Sequence, residues 1–380
     1  MSTKDDAHSI FTSVYGDEPE GIWSAPGRAN LIGEHTDYND GLALPFAINY
    51  RTFAAVSPRS DRLIHVWSEA EATGPVSWSL DDAPPKGQGW ASYPLGVISL
   101  MSGDHARGLD IAISSDVPLG AGLSSSAALE CAIAVAVREV WDTQHTDTEL
   151  AAIGTDAENN IVGAPTGTMD QLASMLSRKD HALAIDFHSG HTHHVPLAVD
   201  DHGLSVVIVD SGQRHDHATG GYKDRRAVCD SLPVALGVSS LRDISIDTLS
   251  AASRGLSDEQ ARLLNHVVTE NQRVTDTIHA LEEGDFTTVG QQLTTSHRSL
   301  RDDFRVSTDF IDTLVEGLEA SGALGARLCG GGFGGSVIAL IPHDRVEQAR
   351  SQVATMARAP HASHPPTFRV VTAEDGAGKT

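Results

Sequence analysis

The segment Gly27–Gly41, GRANLIGEHTDYNDG, holds one arginine, one histidine and three carboxylates. Leu31-Ile32 on one side and Leu42–Phe46, LALPF, on the other are core-like. Charge held between two hydrophobic anchors is either a solvated turn or the floor of a site for something polar. If it is a floor, carboxylates and an imidazole suit hydroxyl groups, and the guanidinium of Arg28 suits a phosphate or a carboxylate. A second candidate is Pro118–Ala128, PLGAGLSSSAA, which follows the strand-like LDIAIS and leads into a strong helix. Gly120 and Gly122 allow a tight turn, and Ser124–Ser126 place hydroxyls and amides at a helix N-terminus. That end carries roughly half a positive charge and unpaired donors, so phosphate is its natural ligand. The plain alternative is a serine N-cap after a glycine turn. The loop has no lysine, so charge must be neutralised by Mg²⁺ or from elsewhere, and Arg28 is the obvious elsewhere.

Two further glycine runs need sorting. Gly330–Gly335, GGGFGG, formally satisfies G-x-G-x-x-G, but it runs into SVIALIP, a strand, whereas a dinucleotide fingerprint opens a helix. Five glycines in six residues exceed what a turn requires, so a backbone that closely approaches a ligand is favoured over a simple hairpin. The tail, DGAGKT, imitates the end of a phosphate loop. Position 373 is Ala where that motif needs Gly, and no helix can follow Thr380. It is rejected.

These residues need a frame. The 380 residues, 40% hydrophobic, suit two or three packed domains rather than a disordered chain. The formal net charge of -24 and the lack of any basic run argue against nucleic acid or a membrane surface as main partner. Cys131, Cys229 and Cys329 are few and widely spaced, which fits a reducing cytoplasm. The N-terminus lacks the pattern of a signal peptide, and no apolar run reaches membrane-spanning length, so a cytoplasmic protein is expected. Strands are expected at Thr52–Pro58, Leu63–Ser68, Leu109–Ser114, Leu204–Asp210, Arg327–Cys329 and Ser336–Ile341, with a hairpin at Ala182–Phe187 and His194–Leu197. Helices are expected at Ala127–Trp141, Thr146–Val162, from Met169 to Leu176, Tyr222–Leu236, Ser257–Glu283, Phe286–Arg301 and Asp309–Ser321. The mixture predicts an α+β chain of two halves, residues 1–200 and 201–380, with a cleft between them, and an exposed Ala/Gly-rich tail.

Taken in order, GRANLIGEHTDY, PLGAGLSSSAA and CGGGFGG resemble the three motifs of the GHMP small-molecule kinases. GEHTDYN narrows the resemblance to the galactokinase branch, and WASYPLGV, AENNIVGAPTGTMDQ and RDDFRVSTDFIDTLVE extend it over nearly the whole chain. The resemblance implies an N-terminal domain of ribosomal-protein-S5 type and a C-terminal ferredoxin-like α/β domain, with galactose and ATP meeting in the cleft. It further implies that Asp170 acts as base toward the C1 hydroxyl with Arg28 beside it. Glu34, His35, Thr36, Asp37, Gly167 and Tyr222 would bind the sugar. Ser68, Trp90 and the loop Gly120, Ala121, Gly122, Leu123, Ser124, Ser125 and Ser126 would bind ATP. Mg²⁺ would be held by Ser126 and Glu158.

Blander readings stand beside these. Asp170 is also a helix N-terminal Asp that the dipole would favour. Glu158 could be a solvated helix face, Tyr222 and Trp90 core aromatics, and the residues before Tyr222, SGQRHDHATGG, are unusual for the family. A different class of function is a non-catalytic galactose and ATP sensor; an intact SSSAA loop with Glu158 and Asp170 argues against it. A kinase of a related sugar, such as N-acetylgalactosamine or arabinose, is the nearer alternative. The cluster His188, His191, His193, His194, with His215 and His217, reads as an exposed polar hairpin rather than a metal site. A monomer is expected, with a dimer left open.

Overall fold

The computed structural model describes residues 4–380 apart from 71–73, 105, 165, 214–217, 357 and 359–361; the side chains of 218–220 and 222 are likewise outside the described set. Its first layer is a six-stranded sheet. From edge to edge it runs β13 (Gly378–Lys379), β1 (Gly21–Asn30), β3 (Pro45–Pro58), β6 (Leu109–Ser115), β4 (Leu63–Ser68) and β5 (Val76–Ser79). Among the described strands of this sheet β4 and β6 pair in parallel and the other neighbours antiparallel. The two-residue period of a strand divides its faces. Trp23, Ala54, Val56, Ile111 and Ile113 pack beneath the helix Ser125–Val140, while Ile22, Ala55 and Ala112 on the other face meet Ala7 and Phe11 of the helix Lys4–Tyr15. Helix Ser125–Val140 is buried on almost every side, as the run AALECAIAVAV, apolar but for Glu130, requires.

A four-stranded antiparallel sheet forms the second half: β10 (Gly325–Cys329), β11 (Ser336–Pro342), β9 (Leu204–Asp210) and β12 (Thr367–Val371). One face, with Val207, Val209, Val337 and Ala339, packs on helices that include Asp258–Glu283 and Asp309–Ala320. The opposite face, with Val206, Ile208, Ile338 and Leu340, shares a core with Leu31, Ile32, Leu44, Phe46 and Ile48. A third sheet joins β2 (Leu42–Ala43), β7 (His181–Asp186) and β8 (Thr192–Pro196). The architecture is therefore the two-domain α+β arrangement that the sequence implied, with helices stacked on one face of an antiparallel sheet in the second half.

The differences have local causes. Thr52–Pro58 is the end of a strand that begins at Pro45, because LALPF and TFAAVSP join without a breaker. The helix expected through Val162 is α-helical over Asp147–Asp156 and then π-wound over Ala157–Val162, ending at Gly163 with φ of 85°. Its capping box, Thr146 with Glu149, is present. Phe286–Ser299 likewise ends in a π-turn, Leu300–Phe304. The helices Lys4–Tyr15, Ile246–Ala252 and Val346–Thr355 were not expected. The tail is not a free end. Ala373 bridges Ile48, Ala377 N–H donates to Ser174 O, and Gly378–Lys379 adds the edge strand β13 beside β1. Gly376 lies against the Met175 carbonyl with no room for a side chain.

Candidate active site

Arg28 is aimed by a defect in a strand. The pairing of β1 with β3 slips between Pro26 and Arg28, and a Cβ at Gly27 would come within 2.6 Å of Leu123 O. Such a bulge re-aims the next side chain. Arg28 N–H donates to Leu123 O at 3.2 Å instead of to the ladder, and its guanidinium reaches Gly122 O at 2.7 Å and Asp170. Nε and Nη2 both meet Asp170 Oδ1, at 2.8 and 2.6 Å. Asp170 Oδ2 accepts from Ser124 Oγ at 2.5 Å. Burial works against the charge on Arg28, but Asp170 outweighs it and holds the guanidinium above its ordinary value.

Ser124 has φ of 57° and ψ of 50°, a left-handed conformation uncommon outside glycine, and its hydroxyl does not cap the helix it precedes. With the hydroxyl committed to Asp170, the first-turn amides of Ser125–Val140 keep their donors for a ligand. Asp170 itself opens the helix Met169–Leu176, whose Ser174 hydroxyl is tied to Pro26 O at 2.7 Å. Helix and bulged strand thus hold Asp170 and Arg28 as one unit.

A cavity of about 250 Å³ lies in front of this pair, lined by Arg28, Glu34, His35, Asp37, Tyr38, Thr166, Gly167, Met169, Asp170, Gly330 and Gly331. The loop Gly33–Gly41 forms one wall. Gly33 has φ of 100° and its missing Cβ would touch Leu42 O at 2.5 Å. His35, also left-handed at φ of 63°, stacks on Phe304 at 4.3 Å, and its Nδ1 lies 2.9 Å from the Tyr38 hydroxyl. Burial, with His266 next, pushes His35 down to about 3, so the ring is neutral at pH 7. Burial and the charge of Asp170 push Asp37 up to about 6. A side chain at Gly167 would collide with Asp37 Oδ2, so glycine there leaves the carboxylate its place. Thr36 lies outside the lining: its buried hydroxyl donates to Gly33 O and Leu42 O, at 2.8 and 2.7 Å, and closes the loop. The Tyr222 side chain falls outside the described residues.

A second cavity, about 390 Å³ and mostly apolar, opens at the other end of the serine loop. It contains Ser68, Trp90 and Ser125, together with Ile113, Val117, Leu119 and Leu129. Leu119 is 66% exposed, a large apolar side chain left on the rim. Gly120 and Gly122 turn the loop with φ of 70° and 75°. Ala121 and Leu123 are buried and serve through their carbonyls, which accept from Ser336 Oγ and Arg28 N–H.

Glu158 stands behind the loop on the π-turn, hydrogen-bonded to Ser126. Its Oε2 accepts from Gln171 Nε2 at 2.9 Å and from Thr166 Oγ1 at 3.2 Å. The same Gln171 amide donates to the buried Glu130 Oε2 at 2.9 Å. Burial, then Asp170, raises Glu158; burial, then Glu158, raises Glu130 well above the usual carboxylate range. No lysine lies in sequence between Lys86 and Lys179 to relieve this accumulation. Among the described residues Glu130 Oε1 and Gln171 Oε1 find no hydrogen-bond partner. Crowded carboxyl oxygens whose ionised form is disfavoured by burial and by one another fit a hard divalent cation. By contrast, His191 and His193 sit 5.8 Å apart on an exposed hairpin and His194 Nε2 lies 2.7 Å from Leu176 O. Among the described residues no group of three or more His, Cys, Asp or Glu is arranged to hold a metal ion; His215 and His217 fall outside them.

Comparison with known proteins places this geometry. Residues 9–58 match the galactokinase galactose-binding signature, residues 92–178 the GHMP kinase N-terminal domain and residues 277–359 the GHMP kinase C-terminal domain. A galactokinase of Streptomyces coelicolor is 42% identical over 366 residues, covering 95% of each chain. One from Mycobacterium bovis is 44% identical over 333 residues, covering 87% of this chain and 92% of its own. The chain belongs to the galactokinase family. The crystal structure of Lactococcus lactis galactokinase complexed with galactose superposes with a TM-score of 0.90 at 29% identity, covering 98% of each chain. A mevalonate kinase structure, at 17% identity and a TM-score of 0.68, shares the fold.

What sequence reading missed in this chain is the support behind the motif loop. Glu270 Oε1 accepts from Gly33 N–H at 3.0 Å, His266 Nε2 lies 3.1 Å from Glu34 O, and Asn271 Oδ1 accepts from Leu42 N–H at 2.8 Å. Ser296 and Arg273 hold Glu270 in turn, each at 2.7 Å. His266, Glu270 and Arg273 are spaced i, i+4, i+7, one face of a helix. A polar stripe where an apolar one was due was the signal available. Arg327 was read only as the start of a strand, yet its side chain is fully buried against Glu34. Among the described residues no helix is long and apolar enough to cross a membrane.

Proposed function

We propose that the chain transfers the γ-phosphoryl group of ATP to the anomeric C1 hydroxyl of D-galactose, giving α-D-galactose 1-phosphate and ADP, the first phosphorylation of galactose catabolism. The observation that carries this is the Arg28–Asp170–Ser124 unit, placed where a charged cavity and an uncapped helix N-terminus meet. Phosphoryl transfer is mainly positioning and charge stabilisation. Glu34, His35 and Asp37, with Gly167, face the sugar hydroxyls; Ser68, Trp90 and the loop Gly120–Ser126 hold the nucleotide. Asp170 lies at the boundary and accepts the C1 proton as the phosphoryl group arrives. Each oxygen of a carboxylate has two lone pairs, so Oδ2 accepts from Ser124 and from a sugar hydroxyl together. Arg28 holds that carboxylate in place and offers its charge to the transferring group.

Ser126 and Glu158 are the residues that would hold Mg²⁺, which when bound neutralises charge on the β- and γ-phosphates. The helix amides of Ser125–Val140 receive the phosphates from the other side. A neutral His35 accepts or donates one hydrogen bond per nitrogen, and a sugar lacking the axial C4 hydroxyl leaves a buried partner unsatisfied. ADP release from MgATP with a panel of sugars tests the assignment. Galactose should exceed glucose and mannose by roughly two orders of magnitude or more. Comparable rates would move the protein to another sugar, and no release with any sugar would make it a sensor.

A further inference from the structure

We infer that Arg327 is a positioning residue for sugar recognition: it fixes Glu34 so that a single carboxylate oxygen faces the cavity. The inference rests on the reading of Glu34 as an acceptor for a galactose hydroxyl. Arg327 lies on β10, in the other half of the chain, with its side chain wholly buried. Its guanidinium has five N–H groups. Nε donates to Leu31 O at 2.6 Å, Nη1 to Leu328 O at 2.6 Å and Nη2 to Asn30 O at 2.6 Å. The other two converge on Glu34 Oε1, Nη1 at 3.3 Å and Nη2 at 3.2 Å. All five are used, so Arg327 has no donor left for a ligand.

Gly330 N–H adds a third donor to the same oxygen, at 2.8 Å. Three donors on Oε1 exhaust its capacity, so a sugar hydroxyl can only be received by Oε2. They also stop rotation of the carboxylate about its last torsion. Charge-assisted, converging donors are the arrangement that fixes a carboxylate in direction as well as in place. Residues 327 and 330 flank the start of the third glycine motif, and Asn30 ends β1, which carries Arg28, with Leu31 directly after it. The direction of a group in the first motif is therefore set by the third. Gly330 has φ of 93°, a conformation other residues resist, and this turns its amide toward Glu34.

Arg327→Lys, which keeps the charge but offers a point donor, and Arg327→Gln, which keeps two donors without charge, test the inference beside Glu34→Gln. Galactose KM, ATP KM and the thermal melt are measured for each. Both Arg327 variants should melt cooperatively, raise galactose KM tenfold or more and leave ATP KM within twofold; Arg327→Lys should retain the more activity. If Glu34→Gln raises galactose KM but neither Arg327 variant does, the inference falls and the reading of Glu34 stands. If Glu34→Gln leaves galactose KM unchanged, the reading of Glu34 falls, and the inference with it. A parallel rise in both KM values, or loss of the cooperative melt in both Arg327 variants, would make Arg327 a folding element and overturn the inference.

Discussion

The two cavities are built on opposite plans. The charged one, about 250 Å³, is walled by groups whose geometry is fixed from behind: Glu34 by Arg327, Gly33 by Glu270 and Asp170 by Arg28 and Ser124. The apolar one, about 390 Å³, is walled by Ile113, Val117, Leu119, Trp90 and Leu129 and has an exposed leucine on its rim. Directional hydrogen bonds discriminate strongly, because a missing hydroxyl leaves a buried group unsatisfied; apolar contact scales with area and discriminates weakly. Specificity and chemistry should therefore reside in the charged cavity, and the apolar cavity should contribute affinity that single substitutions erode only slightly.

The largest effect is expected at the boundary. Asp170→Asn keeps the shape of the side chain but cannot take a proton, and kcat should fall by about 10³-fold, within the range typical of a positioned base. The melt should stay cooperative, since the Asn carbonyl oxygen can accept from Arg28 in place of Oδ1 while its amide N–H donates to Ser124 Oγ in place of Oδ2. Turnover within tenfold of wild type would reduce Asp170 to an anchor for Arg28 and remove the main contrast between the cavities.

Glu158 ranks next. Glu158→Gln keeps hydrogen bonding to Gln171 and Ser126 but removes a charge from the proposed cation site. The Mg²⁺ concentration giving half-maximal rate should rise about 10–100-fold, with galactose KM unchanged. An unchanged Mg²⁺ requirement would return Glu158 to the structural reading that its burial also allows.

Asp37 and His35 sharpen the contrast through pH. Asp37 titrates near 6 in the folded chain against an ordinary 3.8, so the fold favours its proton. Its contribution is full below pH 3.8 and is lost as pH rises through about 6. Asp37→Asn should therefore melt higher than wild type at pH 7.5, with the difference vanishing by pH 4, while galactose affinity falls. His35 runs the other way: held at about 3 against 6.5, it favours the fold above pH 6.5 and loses that contribution as pH drops toward 3. The variant must accordingly be compared with wild type at each pH. A higher melt that persists at pH 4 would mean that Asp37 strains the fold by shape and not by charge.

The contrast also explains what could be read from the sequence. Asp170 was singled out only through the family resemblance, whereas Arg28, Glu34 and Asp37 stood out because polar residues between apolar anchors have few structural reasons to exist. Strands and helices with a clean period, such as Leu204–Asp210 and Asp309–Ala320, were legible for the same reason. Arg327 was not: in ARLCGGGF it looks like one more strand residue, and its partners lie about 300 positions away. The π-turn that carries Glu158 was hidden too, because one extra residue in a turn leaves no mark in a helical pattern. The tail was misread as exposed, since Gly376 serves close packing against Met175 and not freedom. Long-range polar support has no local period, so sequence periodicity cannot reveal it.

The smallest effect is expected deepest in the apolar cavity, at Trp90. Its ring is half-buried beside Ser68 and Leu129, where it offers a flat surface to a base and one contact among several. Aromatic stacking adds about 0.5–1.5 kcal/mol beyond burial, so Trp90→Ala should raise ATP KM by roughly two- to twelvefold. Galactose KM and kcat should stay near wild type, because neither the Arg28–Asp170 pair nor the loop Gly33–Gly41 touches this wall. Steady-state kinetics with each substrate varied at saturating levels of the other reads both quantities. A loss of a hundredfold or more in ATP KM would give the apolar cavity a dominant anchor, and the division between a directional end and a diffuse one would have to be abandoned.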